Sequence, residues 1–165
     1  MNSPQSSAAG RLFDAASAII LGLGETSFEG QGPMWLEAIA RDPAAFPRLE
    51  LRATAEGRLE LDWAPLVDWL LQASPTSAAG RADCAGAVHA SLADGIVQVA
   101  DRLRALSGSS IVGLTGGVFQ NRRLTEAALA GLSARGFDVL LPVQLPCNDG
   151  GLSYGQVADF VGRND

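Results

Sequence analysis

Two short segments carry the residue types that do chemistry, and both are built on glycine. The first is Leu114-Thr115-Gly116-Gly117-Val118-Phe119-Gln120-Asn121, where an apolar run enters two glycines and then a helical pattern. With no Cβ at Gly116 or Gly117, backbone N–H groups can come close to a phosphate or an adenine. A helix N-terminus behind them adds about half a positive charge. Asn121 offers a donor and an acceptor to a ribose or a base. The second segment is Pro146-Cys147-Asn148-Asp149-Gly150-Gly151, in which Asp149 suits a metal ion or the metal of a bound nucleotide. Each segment also has an ordinary reading. Gly116-Gly117 serves equally as a tight strand-to-helix turn, and Asn148-Asp149 as a helix N-cap. Open α/β sheets collect ligands at the carboxyl ends of strands, so two such turns on successive strand ends weigh more than either alone.

Other chemistries are excluded by composition. All twelve cationic residues are Arg, with no Lys, which removes a Walker-type phosphate loop and Schiff-base chemistry. Eighteen acidic residues give a net charge of −6, against a phosphate-backbone binder and hence against nucleic acid. His89 is the only histidine, so a metal site needing two histidines cannot form within the chain. It lies beside Val88 and one turn before Leu92, and reads as a core-edge histidine bonded to a neighbour. Cys84 and Cys147 are far apart, as suits reduced thiols, and a helix N-terminus near Cys147 would favour its thiolate. No stretch is long and apolar enough to span a bilayer, and no secretory signal is visible in Met1–Gly10. The expectation is a cytoplasmic protein with no membrane partner.

These turns need elements to hold them. At 165 residues and 47% apolar content the chain suits one domain with a real core. Residues 1–9 read as a disordered leader and 10–165 as the domain. From Arg11, the positions Leu12, Ala15, Ala16, Ile19, Ile20 and Leu23 predict an amphipathic helix stopped by Gly22 and Gly24. A short helix is expected over Met34–Arg41 with Pro33 in its first turn. A hairpin is expected through Leu49–Leu61 with a turn at Glu56-Gly57. A helix over Trp63–Gln72 and a linker over Ser74–Ala79 follow. The longest helix spans about Ala82–Leu106, its stripe running through Ala85, Val88, Leu92, Ile96, Val99, Leu103 and Leu106. Then come a strand over Ile111–Leu114, a helix over Gln120–Arg135, a strand over Phe137–Leu141 and a helix over Gly150–Phe160. That order implies a βαβ crossover with parallel strands.

Four motifs also resemble a known family. Gly113–Asn121 with Asn148–Gln156 (GLTGGVFQN … NDGGLSYGQ) closely resembles the C-terminal Kae-type domain of the HypF carbamoyltransferases of hydrogenase maturation. Gly10–Ala15 (GRLFDA) and Phe28–Gln31 (FEGQ) resemble that family's corresponding segments, in order and with suitable spacing, so the likeness runs from about Ser7 to Ala158. The resemblance implies an α/β fold, one lobe of an actin/hexokinase-like (ASKHA) nucleotide-binding architecture, with a mixed sheet and packed helices. It implies carbamoyl transfer from carbamoyl-adenylate, made with ATP, to the C-terminal cysteine of a HypE-like acceptor protein. In the related tRNA threonylcarbamoyltransferases an Asp of the first segment faces the nucleotide, and that Asp falls on Asp14. The family's glycine falls on Gly30, the Asn after the glycine pair on Asn121 and the metal-binding Asp on Asp149. Thr115, Gly116 and Gly117 would hold the nucleotide through their amides.

The family's histidine ligands for a divalent metal (Zn or Fe) lie upstream of the GRLFDA-like stretch, and this chain has no counterpart for them. No residue here reads as a general base or nucleophile. The expectation is a half-enzyme completed by a companion chain carrying the upstream lobe. The alternatives are a non-catalytic nucleotide-binding remnant and, from the acidic surface and the FEGQ and NDGG wording a weaker one, a tRNA threonylcarbamoyltransferase relative. An apolar face left for the missing lobe would favour a homo-oligomer.

Overall fold

A computed structural model of the chain describes residues 6–163. Most of the expected leader, residues 1–5, lies outside these. Ser6–Ala8 carry no regular structure, and the first helix, α1, already begins at Ala9 and runs to Leu21. Its buried face is Phe13, Ala16, Ser17 and Ile20, one position round from the predicted stripe, with Ala15 exposed. Ser17, buried on that face, meets Gly32 of the next helix. A Cβ on Gly32 would lie 2.8 Å from Ser17 Cβ, so α1 and α2 meet backbone to side chain at this point. Gly22 ends α1 in a left-handed conformation (φ 70°), its N–H donating to the Ala18 carbonyl.

Helix α2 (Gln31–Ile39) starts three residues before the predicted point. Gly30, at φ 81°, makes the left-handed entry, and Gln31 folds its side chain back to accept the Ser27 N–H at 2.7 Å. Strands β1 (Glu50–Ala53) and β2 (Leu59–Asp62) form the expected hairpin, antiparallel with Leu51 opposite Leu61. Helix α3 (Ala64–Ala73) follows.

Helix α4 (Ala78–Ser107) is the centre of the molecule. It absorbs the end of the predicted linker because Ser77 caps it, its hydroxyl accepting the Gly80 N–H at 3.0 Å. From Cys84 to Ala93 nearly every side is covered, since α1, α2, α3, α5 and β1 all pack on it. The predicted stripe fails at its end, where Leu103 and Leu106 are exposed. Two small residues set close approaches: a Cβ on Gly86 would collide with the Arg41 carbonyl, and one on Gly131 would lie 2.8 Å from Val97.

Strands β3 (Ile111–Gly113) and β4 (Asp138–Leu140) pair in parallel, with Val112 opposite Val139, across helix α5 (Arg122–Ala134). The expected mixed sheet thus takes the form of two separate two-stranded pieces, one antiparallel and one parallel. The last helix, α6 (Leu152–Gly162), buries none of its residues.

Candidate functional site

The parallel pair places the two glycine-rich turns side by side. The ladder runs one residue past β3, where the Leu114 N–H donates to the Leu140 carbonyl at 3.0 Å. Beyond it the Gly116 N–H donates to the Cys147 carbonyl at 2.6 Å, and the Thr115 hydroxyl reaches the same oxygen at 3.4 Å. Gly116 adopts φ 110°, ψ 154°, open only to glycine, and nothing lies within 4 Å of where its Cβ would be. A 3₁₀ turn (Gly117–Gln120) follows, closed by the Phe119 N–H on the Gly116 carbonyl. In that geometry the N–H groups of Gly117 and Val118 precede the first internal bond and point out of the turn.

Facing it, Asn148 accepts the Gly150 N–H on Oδ1 at 3.0 Å and opens a second 3₁₀ turn, Asp149–Gly151. Gly151 is forced by crowding, since a Cβ there would lie 2.9 Å from the Pro146 carbonyl. Asp149 is exposed at the start of this turn. Among the described residues no group of three His, Cys, Asp or Glu side chains could hold a metal, so Asp149 offers a single carboxylate.

Asp14 and Gly30 are brought together elsewhere. They share a cavity of about 530 Å³ with Arg11, Ser17, Glu25 and Glu29, and no residue of 115–121 or 148–151 lines it. Asp14 is held by Arg11 at 3.1 Å, and α1 also packs against the Gly117–Gln120 turn. Three carboxylates against one guanidinium make this cavity a poor seat for a bare phosphate and a better one for hydroxyls.

Asn121, expected from its position to contact a ligand, is engaged by two bonds within the chain. It lies outside both helices, as the N-cap of α5, because its Oδ1 accepts the Leu124 N–H at 2.9 Å. Its Nδ2 lies 2.9 Å from His89 Nε2, and the residue is nearly buried. His89 is deeper than a core-edge position: it is fully enclosed, its Nδ1 is 2.7 Å from the Ala85 carbonyl, and its ring packs at 5.0 Å on Phe13. Burial holds the imidazole below its ordinary pKa. Sequence reasoning did not foresee the His89–Asn121 pair, nor Glu37, whose carboxylate accepts the Arg123 N–H at 3.2 Å. Partners thirty or more residues apart leave no local pattern.

Comparison with known proteins identifies the family. The family described as carbamoyltransferase, Kae1-like domain, second subdomain, matches residues 1–156. The chain belongs to that family. The relatives it matches are HypF-type proteins. It is 40% identical over 159 residues to carbamoyltransferase HypF of Rhodobacter capsulatus, covering 94% of this chain and 20% of that protein. It is 34% identical over 160 residues to a HypF homolog of Cupriavidus necator, covering 94% of this chain and 41% of the other. Full-length HypF in its phosphate- and nucleotide-bound form superposes with a TM-score of 0.78 at 30% identity, over 89% of this chain and 19% of that one. HypF of T. kodakarensis gives 0.73 at 27% identity, over 98% and 20%. The chain thus spans about a fifth of the length of most of these relatives.

Proposed function

We propose that this chain supplies the nucleotide-facing half of a HypF-type carbamoyl-transfer site, completed by the first subdomain of a Kae1-like domain. The carrying observation is the Gly116–Cys147 bond, which ties the turn bearing the Gly117 and Val118 amides to the segment that leads into the Asn148–Gly151 turn. Those amides and Thr115 would take the phosphate of ATP or carbamoyl-adenylate. Asp14 and Gly30, in their acidic cavity, would take the ribose side. Asp149 fits a divalent metal (Zn or Fe) as one ligand of a shared site whose histidines come from the other lobe; bound there, the metal would polarise the carbamoyl carbonyl. In the transfer, the cysteine thiolate of a HypE-like acceptor forms a bond to the carbamoyl carbon. The bond from that carbon to the nucleotide phosphate oxygen breaks, and AMP leaves with the electron pair. The role of this half is to bind and orient.

The same reading explains α6. Leu152, Val157 and Val161 are more than half exposed, an apolar face suited to the companion lobe. A second reading, a nucleotide-binding remnant without transfer activity, rests on the single carboxylate at Asp149.

Calorimetry with ATP and a divalent cation tests the proposal, on the chain alone and mixed with the first subdomain of the Rhodobacter capsulatus relative. A Cβ on Gly117 meets only Asn148 and Gln120 at 3.9–4.0 Å, so Gly117→Val leaves the fold intact while covering the amides. Gly117→Val should weaken binding in the mixture at least tenfold, and Asp149→Asn should abolish its metal dependence. Absence of nucleotide binding in both preparations, or parental affinity in Gly117→Val, would sink the assignment.

A further inference from the structure

The turn that presents Gly117 and Val118 is pinned at both ends. At its start Gly116 is bonded to Cys147; at its end Asn121 is bonded to a histidine on a different element. The directions of these bonds are fixed by chemistry. The Ala85 carbonyl can only accept, so Nδ1 of His89 carries the proton and Nε2 is bare. Oδ1 of Asn121 is the acceptor for the Leu124 N–H, so the end facing Nε2 is the amide nitrogen, a donor. Each atom thus fits one neutral tautomer. Thr125 adds to the clamp, its hydroxyl donating at 2.9 Å towards the carbonyls of Phe119 and Asn121.

We propose that His89, held as the Nδ1–H tautomer by Ala85, is a positioning residue that fixes the Gly116–Asn121 turn through Asn121 Nδ2. This rests on the nucleotide reading only for its purpose; the clamp itself is independent of any ligand. A neutral ring is required, because a proton on Nε2 would meet the Asn121 amide donor to donor. The enclosure favours neutrality: burial and the Arg123 guanidinium of α5 oppose the charge, while the bond to the Ala85 carbonyl and the Glu37 carboxylate of α2 support it. From α1 the ring packs on Phe13 at 5.0 Å, and Asp42 and Glu126 line a cavity with it.

Three variants of the full chain test the clamp. His89→Phe fills similar volume without an acceptor. Asn121→Ser keeps the α5 cap but is too short to reach Nε2. His89→Gln restores an acceptor oxygen. The expected result is at least tenfold faster exchange of the bonded turn amides Phe119 and Asn121 in His89→Phe and in Asn121→Ser, with protection in α4 retained and a large part of the turn's protection regained in His89→Gln. Nitrogen-15 spectra of the parent should show Nδ1 protonated and Nε2 bare. Where His89→Phe does not fold, Asn121→Ser alone carries the exchange measurement. Unchanged exchange in Asn121→Ser, or an Nε2–H tautomer in the parent, overturns the proposal. Nucleotide affinity separates the two readings. Loosened turns in variants of a parent that binds no nucleotide would break the functional assignment and leave the clamp standing. Parental affinity and exchange in the variants would do the reverse.

Discussion

Helices α4 and α6 are both rich in apolar side chains, yet one is enclosed and the other bare. In α4 the residues from Cys84 to Ala93 are covered by four helices and a strand, and Gly86 and Gly95 mark where neighbours come closest. In α6 no residue is buried, and its substantial contacts are with the 3₁₀ turn that leads into it. The same chemistry in the side chains therefore has two meanings. In α4 it is the chain's own folding energy; in α6 it is exposed surface, the face on which the proposed companion lobe would pack.

The contrast can be broken by truncating matched leucines. Leu132 of α5, fully buried against α4, should cost about 2–5 kcal/mol when changed to Ala, read as a lower urea midpoint. Leu152→Ala in α6 should stay within about 0.5 kcal/mol of the parent. A large loss at Leu152 would mean that α6 packs on the chain itself.

Acid sharpens the contrast from the other side. His89 is the buried titratable ring of the enclosed half, and its folded pKa is lowered by burial. Between that lowered value and the unfolded value of about 6.5, the unfolded chain binds the extra proton. Stability is therefore complete above pH 6.5 and falls as pH drops through this window, by at most about 1.4 kcal/mol per pH unit. Urea titrations of the parent and of His89→Phe from pH 7.5 to 5 check it, and the variant should lose this component of the slope.

The smallest effect on folding is expected where the effect on assembly is greatest. Val157→Asp should leave the unfolding midpoint of the chain nearly unchanged, within about 0.5 kcal/mol, while abolishing association with the first subdomain in sedimentation experiments.

The distinction between these halves was only partly legible in the sequence. Periodicity located α1 and α4, turn residues and element order located the other α-helices but neither 3₁₀ turn, and the alternation about Glu56-Gly57 located the hairpin. Boundaries were missed where a side chain rather than periodicity decided them, as with Ser77 capping α4 and Asn121 separating the 3₁₀ turn from α5. The adjacency of the two glycine turns followed from parallel pairing, because it needs only strand order. The division of the expected site was not legible. Asp14 and Gly30 line one cavity and Thr115–Gly117 another surface, and that depends on how α1 packs on its neighbours in three dimensions. His89 looked structural in the sequence and is bonded as such, but its partner 32 residues away was invisible to any local reading.

The meeting of Ser17 with Gly32 has a consequence for how this protein can vary. A Cβ at position 32 has no room while one exists at position 17, since the two would stand 2.8 Å apart. Substitution at either site is conditional on the other, which ties the GRLFDA-bearing helix to the segment after FEGQ as one unit of inheritance. Among related sequences the two positions should covary, with a bulkier residue admitted at one only where the other is reduced to glycine. A drift in one motif that ignored the other would pry α1 from α2 and open the cavity that holds Asp14 and Gly30.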